Sequence, residues 1–375
     1  MKRVVICGAG FGGIAAAVTL RRLVSAEVVE IMLVDRRTDF SMGFRKTWAA
    51  LGIEPQSVGS RRLGDIAGVE LVTGELTRVD PTARTVEVDG RTLTADALVL
   101  ALGAALAPQA VAGLAEHGLN VWDREQAGRA WEQLAGLSGG RLLIGIFGLP
   151  YTCPPAPYEL ALMARDRLAA SVTIDLFTPA PIALPVVGPA ESAKLERMLA
   201  DAGVGFTARR QANEVRPRSV QFADGSEEAF DVLLAVPPHR CPQVLVEAGL
   251  APAGGWVAPD PRTLELPHPD VYAVGDCTAI PLANGMQLPK AGVFAHAEGE
   301  VVAQRIADRL AGRQPGAMFA GEGYCFVETG ARRAAKAEGR FLADPVEVHI
   351  SEPTAEGMAQ KLEFERSRLS AWFGA

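Results

Sequence analysis

The 375-residue chain has no uninterrupted apolar stretch of the roughly 20 residues that cross a bilayer as a helix. That argues against a helical membrane span. It also has no basic run, and 44 acidic against 37 basic side chains leave a net charge of −7. Nucleic acid is therefore not an expected partner. Cysteine is sparse: Cys7, Cys153, Cys241, Cys277 and Cys325, with no C-x-x-C pair. An odd number so widely spaced is not the disulfide framework of a small secreted domain. No apolar leader precedes the strand-like segment Arg3–Cys7. The expected compartment is the cytoplasm, with the inner membrane face as the alternative.

What is present is a long, apolar, glycine-rich chain: 49% hydrophobic residues and 39 glycines. This length suits two or three domains. Val4–Cys7 is a continuous apolar run, as in a parallel strand covered on both faces. A helix is expected over Gly12–Leu23, ending in Arg21 and Arg22 at the negative end of its dipole, and a second strand over Val28–Val34. Residues 69–100 alternate with turn signals and read as a small antiparallel meander closing in the apolar strand Ala97–Ala101. Residues 108–140 read as helix and loop. A second strand–helix–strand unit follows: Leu142–Phe147, the loop Gly148–Pro157, Tyr158–Ala169 and Val172–Phe177. Another meander runs through Val215–Phe222 and ends at Asp231–Val236. The architecture is thus duplicated without duplication of sequence. Strand Val271–Val274, helix Ala291–Leu310, a linker at Gly312–Gly316 and a tail of strands with a helical end complete the chain.

Gly8-Ala9-Gly10-Phe11-Gly12-Gly13 is a G-x-G-x-x-G that follows an apolar strand and opens a helix, with Asp35 at the end of the next strand. The first glycine permits the tight turn, the second lets backbone approach a pyrophosphate, and the third lets helix and strand pack closely. The helix N-terminus offers free N–H groups to phosphate, and Asp35 can accept from ribose hydroxyls. This is a dinucleotide site.

Two further segments resemble the two-dinucleotide-domain flavoproteins: Val271-Tyr-Ala-Val-Gly275-Asp276, and Ala97-Leu-Val-Leu-Ala-Leu-Gly103 with Leu102 where threonine is usual. The resemblance implies FAD, held by Gly8, Gly10, Gly12, Gly13, Asp35, Gly103, Gly275 and Asp276. It implies an α/β fold of two Rossmann-like domains plus a small C-terminal domain. The expected boundaries are 1–107 with 245–314 for the FAD domain, 108–244 for the second, and 315–375 for the last. The second unit lacks the nucleotide signature of NAD(P)H-using relatives. Pro150, Pro154, Pro155 and Pro157 carry no N–H for a phosphate, and Tyr151 is bulky.

Cys153-Pro-Pro-Ala-Pro-Tyr-Glu159, Leu288-Pro-Lys-Ala-Gly292 and Gly323-Tyr-Cys325 resemble the sulfide:quinone oxidoreductase and flavocytochrome c sulfide dehydrogenase family. That likeness implies that Cys153 and Cys325 form a redox-active pair beside the flavin. Hydrosulfide can attack a disulfide, leaving a persulfide and a thiolate. The thiolates would need nearby positive charge or N–H donors to lower their pKa, and Lys290 is one candidate. Glu159 reads equally as proton shuttle or as a helix-capping residue. Cys7, Cys241 and Cys277 read as structural. No cysteine lies in 104–152 or in Asp39–Phe44, so FAD is expected to be non-covalent, and no metal is expected. A quinone is the leading electron acceptor, with a cytochrome as the alternative, and Phe294, Phe319, Phe326, Phe341 and Trp372 are candidates for an apolar slot. The tail Ala355–Phe373 reads as a helix for peripheral membrane contact or for packing on the protein or a second copy in a homo-oligomer. An NADH:acceptor oxidoreductase related to the type II NADH dehydrogenases, and a non-catalytic electron-transfer or redox-sensing subunit, are the competing readings.

Overall fold

Strand Lys2–Cys7 is buried from Val4 to Cys7 because parallel neighbours flank it and helices cover it. In the computed structural model, which describes residues 1–374, it is the centre of a five-stranded parallel sheet. The order across that sheet is Val271–Ala273, Ala97–Leu100, Lys2–Cys7, Val29–Asp35, Glu70–Thr73. One edge strand therefore arrives from a distant part of the chain. Residues 69–100 are not a single meander. Glu70–Thr73 pairs in parallel with Val29–Asp35, and only Leu76–Asp80, Thr85–Val88 and Arg91–Thr94 form the antiparallel meander. An edge strand alternates in burial just as a meander strand does, so its pattern alone does not separate them.

The second sheet repeats the plan, in the order Leu119–Asn120, Val232–Val236, Gly140–Ile146, Val172–Phe177, Gly205–Thr207, all parallel. Its meander comprises Ala212–Arg216, Ser219–Phe222 and Glu227–Ala229. The two-residue strand Leu119–Asn120 lies inside the segment expected to be helix and loop, and is too short to leave a period.

Helix Phe11–Leu23 crosses helix Gly292–Leu310 at close range. A Cβ on Gly299 would lie 2.3 Å from the Gly12 carbonyl oxygen. The missing side chains let the dinucleotide loop nest between the two helices and strand Val271–Ala273. The C-terminal part adds the antiparallel strands Glu322–Glu328, Ala334–Arg340 and Glu347–Ile350, followed by helix Ala355–Phe373. Thr354 caps that helix, its hydroxyl oxygen accepting from Gly357 N–H at 2.9 Å. The buried stripe of the helix is Met358, Lys361, Glu365, Leu369 and Trp372. It faces the body of the protein, and Leu362 and Phe373 are only half-buried. Among the described residues no helix is long and apolar enough to cross a membrane.

Candidate active site

The dinucleotide loop is shaped by its glycines. Gly8 has φ +105°, and a Cβ there would strike the Ala101 carbonyl oxygen at 2.2 Å. A Cβ on Gly13 would fall 1.8 Å from the Gly8 carbonyl oxygen. Gly10, in contrast, meets nothing, because it faces an open cleft of about 370 Å³. Asp35 braces the loop: one carboxylate oxygen accepts from Ala9 N–H at 2.7 Å and the other from Arg37 N–H at 2.9 Å. The cleft runs from this loop past Gly103 and Gly275 to Asp276.

Asp276 shows what the cleft is built to hold. Its Oδ1 is buried without a hydrogen-bond partner, and burial pushes its carboxyl above the ordinary range. A buried acceptor left unpaired costs free energy until a donor arrives. A polyhydroxylated chain such as the ribityl of FAD is such a donor. Gly103 (φ +68°) leaves open space opposite. Residues and cofactor fit.

At its other end the same cleft is lined by Cys153, Glu159, Lys290 and Cys325. Cys153 adopts φ +56°, which a side chain rarely tolerates, so its surroundings must hold it. Its N–H donates to the Lys290 carbonyl at 2.7 Å, and its own carbonyl accepts from Ala156 N–H at 2.9 Å. The preceding residue is fixed from two sides. Trp122 Nε1–H donates to the Thr152 carbonyl (2.9 Å) and hydroxyl oxygen (3.1 Å). The Thr152 hydroxyl meets His239 Nε2 at 3.1 Å, while His239 Nδ1 lies 2.8 Å from the Pro237 carbonyl. A carbonyl only accepts, so Nδ1 carries the proton and Nε2 accepts from the hydroxyl. Burial lowers the His239 pKa to about 4, keeping it neutral in this role.

Both thiols are free. Burial pushes Cys325 up, and among its neighbours Cys153 acts on it most strongly. Burial also raises Cys153, opposed first by Lys46 and then by Lys361. Lys290, the candidate activating cation, is engaged elsewhere. Its ammonium donates to the Asp276 and Thr278 carbonyls, each at 2.8 Å, and stands 3.4 Å from the Trp256 ring centroid. Burial lowers its pKa to about 8. Lys290 thus anchors the segment that carries Asp276.

Glu159 does not cap its helix. It is 2% exposed, and its Oε1 accepts from Lys361 Nζ at 2.6 Å and from Glu328 N–H at 3.0 Å. Lys361 also donates to Glu328 at 2.9 Å, and Trp48 Nε1–H donates to the same carboxylate at 2.8 Å. Burial alone would depress Lys361, but the two glutamates outweigh it and hold the ammonium above the ordinary lysine range. Lys361, Lys46, Trp122 and Glu298 belong to the site although no motif in the sequence marks them. For Lys361 a signal existed: it is a charge on the stripe shared with Met358 and Leu369. Glu298 accepts from Gly275 N–H at 2.5 Å, and burial raises its carboxyl to about 7.

Cys7, Cys241 and Cys277 are buried outside the cleft lining. The Cys277 thiol donates to the Val274 carbonyl at 3.3 Å, and burial pushes it to about 12. The expected aromatic slot is not open: Phe294, Phe319, Phe341 and Trp372 are packed in the core, and only Phe326 borders the cleft. Phe294 packs edge-on against Phe341, and Trp372 against Phe11 and Phe40.

The profile of the pyridine nucleotide-disulphide oxidoreductase family matches residues 2–299. The chain belongs to this family. It is an FAD-dependent oxidoreductase. It is 24% identical over 382 residues to a mitochondrial sulfide:quinone oxidoreductase of Mus musculus, covering 96% of this chain and 82% of the relative. Identity to a type II NADH:quinone oxidoreductase of Staphylococcus epidermidis is 24% over 343 residues, covering 83% of each. The fold superposes on the crystal structure of the sulfide:quinone oxidoreductase of Aquifex aeolicus with a TM-score of 0.89 at 23% identity, covering 100% of this chain and 92% of that one.

Proposed function

We propose that this family member oxidises sulfide to sulfane sulfur through Cys153 and Cys325, with a quinone or cytochrome as final electron acceptor. One observation carries the reading: a single cleft is lined by the dinucleotide loop, by Asp276 and by both Cys153 and Cys325. In the oxidised state hydrosulfide attacks one sulfur of the pair. The S–S bond breaks, that sulfur becomes a persulfide, and the other leaves as a thiolate. Transfer of the outer sulfur to a second nucleophile frees the first cysteine. Re-forming the disulfide releases two electrons, so sulfide is oxidised by two electrons overall. FAD, when bound non-covalently by Gly8, Gly10, Gly12, Gly13, Asp35, Gly103, Gly275 and Asp276, supplies the acceptor for that electron pair. Glu159 takes the proton of incoming sulfide. Lys290 positions the Asp276 segment. The FAD domain comprises 1–107 and 245–314, the second domain 108–244, and the C-terminal domain 315–375.

The kinship to a type II NADH:quinone oxidoreductase supports a second reading, with NADH as donor. Against it, the loop of the second unit is filled by its own side chains: Tyr151 is buried and its hydroxyl donates to the Pro154 carbonyl at 2.9 Å. Anaerobic titration of the oxidised holoenzyme with sulfide and, separately, with NADH decides. Bleaching of the flavin absorbance by sulfide supports the first reading. Fast bleaching by NADH with no response to sulfide replaces it with the second.

A further inference from the structure

Lys46 is a buried cation of the cleft with no anion beside it and the fewest hydrogen-bond acceptors. It is 8% exposed, and its ammonium donates to a single acceptor, the Gly43 carbonyl, at 3.2 Å. Among the described residues no carboxylate oxygen lies within the 4.0 Å of an ion pair. The other cations at this end are engaged: Lys361 by two glutamates, Arg124 by Asp39 at 2.5 Å, and Lys290 by two carbonyls. Burying an ammonium without a counter-ion is costly, and the cost is relieved when an anion enters.

The surroundings define that anion. The Lys46 ammonium lies 4.7 Å from the centroid of the Trp122 ring. The same indole pins Thr152, the neighbour of Cys153. Lys46 is the strongest cation acting on the Cys153 thiol, and its charge also reaches His239 and Asp276. An aromatic face stabilises a cation while adding little competing charge, so the two unused N–H donors remain available to a ligand. We propose that Lys46, with the Trp122 indole as its floor, is the receptor for a small sulfur monoanion, hydrosulfide, and holds it beside Cys153. The identity of the anion rests on the sulfide reading above, but the anion preference of the site does not.

The test separates the two. Reduced holoenzyme is alkylated with iodoacetate or with iodoacetamide, an anion and a neutral reagent of similar size, and modification of Cys153 is followed by peptide mass spectrometry. Lys46→Met lowers the iodoacetate-to-iodoacetamide rate ratio at Cys153 about tenfold, with FAD content unchanged, whereas Lys46→Arg keeps it. In sulfide turnover Lys46→Met raises KM about tenfold, whereas Lys46→Arg keeps it near the parent value. Thiocyanate at constant ionic strength lowers the wild-type ratio, a readout that holds even if Lys46→Met does not fold. An unchanged ratio in Lys46→Met, or no thiocyanate effect, overturns the proposal. So does loss of FAD from Lys46→Met, which would make the cofactor the anion that Lys46 awaits. If sulfide fails to bleach the wild-type flavin while the ratio still depends on Lys46, the anion site stands and the sulfide assignment falls.

Discussion

Lys361 Nζ donates to Glu159 Oε1 at 2.6 Å, joining the C-terminal helix to the helix that follows Cys153. Both side chains are nearly inaccessible to solvent. An ion pair this deep gains little over an apolar pair, yet removing one partner strands the other as a buried charge. Lys361→Met is therefore expected to destabilise the enzyme by about 3–5 kcal/mol. The triple variant Lys361→Met, Glu159→Gln, Glu328→Gln recovers part of that loss. Urea denaturation of the variants checks it; a Lys361→Met protein as stable as wild type refutes the buried network.

Cys153 and Cys325 act as one unit in the proposed chemistry, so their effects cannot add. Cys153→Ser and Cys325→Ser each lower sulfide-dependent flavin reduction by about 10³-fold or more, and the double variant is no slower than either single one. FAD content and the far-ultraviolet dichroism remain those of the parent. Stopped-flow absorbance under anaerobic sulfide measures the rates. A single variant that keeps its rate removes that cysteine from the reaction.

The unpartnered Oδ1 of Asp276 has two opposite consequences. Asp276→Ala deletes a group that waits for the ribityl hydroxyls, so FAD affinity falls about 10–100-fold. The same change removes a buried carboxylate oxygen that has no partner, so the FAD-free protein melts at a higher temperature than the FAD-free parent. Fluorescence titration with FAD and a thermal melt of the stripped proteins read both. A melt that drops in Asp276→Ala means the carboxyl already has a partner in the free protein.

How far these features could be read from sequence depends on whether their cause is local. The turn at Gly8–Gly13 and the acceptor Asp35 are dictated by neighbours along the chain, and their spacing announces them. Gly275-Asp276 is likewise local, a strand end. Glu159 and Lys361 lie 202 positions apart, and only the fold joins them. The one trace in sequence is a lysine on the stripe shared with Met358, Leu369 and Trp372. Lys290 misled for a related reason: its position beside the cleft is local, but the direction of its ammonium is set by the carbonyls of Asp276 and Thr278. The edge strand Glu70–Thr73 read as part of a meander because alternation records exposure of one face, not the direction of the partner strand.

His239 and Glu298 should oppose one another in the pH dependence of stability. His239 titrates near 4 when folded and near 6.5 as a free residue, because burial disfavours its charge. The unfolded chain binds that proton first, so the contribution of His239 is full above about pH 6.5 and is lost as the pH falls toward 4. Glu298 titrates near 7 when folded and near 4.5 when free, again through burial. Here the folded chain binds the proton first. Its contribution is full below about pH 4.5 and is lost as the pH rises toward 7. Each shift spans about 2.5 units, on the order of 3 kcal/mol, with opposite sign across nearly the same window. The two slopes cancel, and the parent shows little dependence on these groups between pH 4.5 and 6.5. His239→Gln unmasks the glutamate, and stability then falls as pH rises. Glu298→Gln unmasks the histidine, and stability then rises with pH. Urea midpoints of the FAD-free proteins at half-unit steps from pH 4.5 to 7 measure both slopes. Variants that share one sign of slope would show that at least one of these groups is not buried as the structure has it.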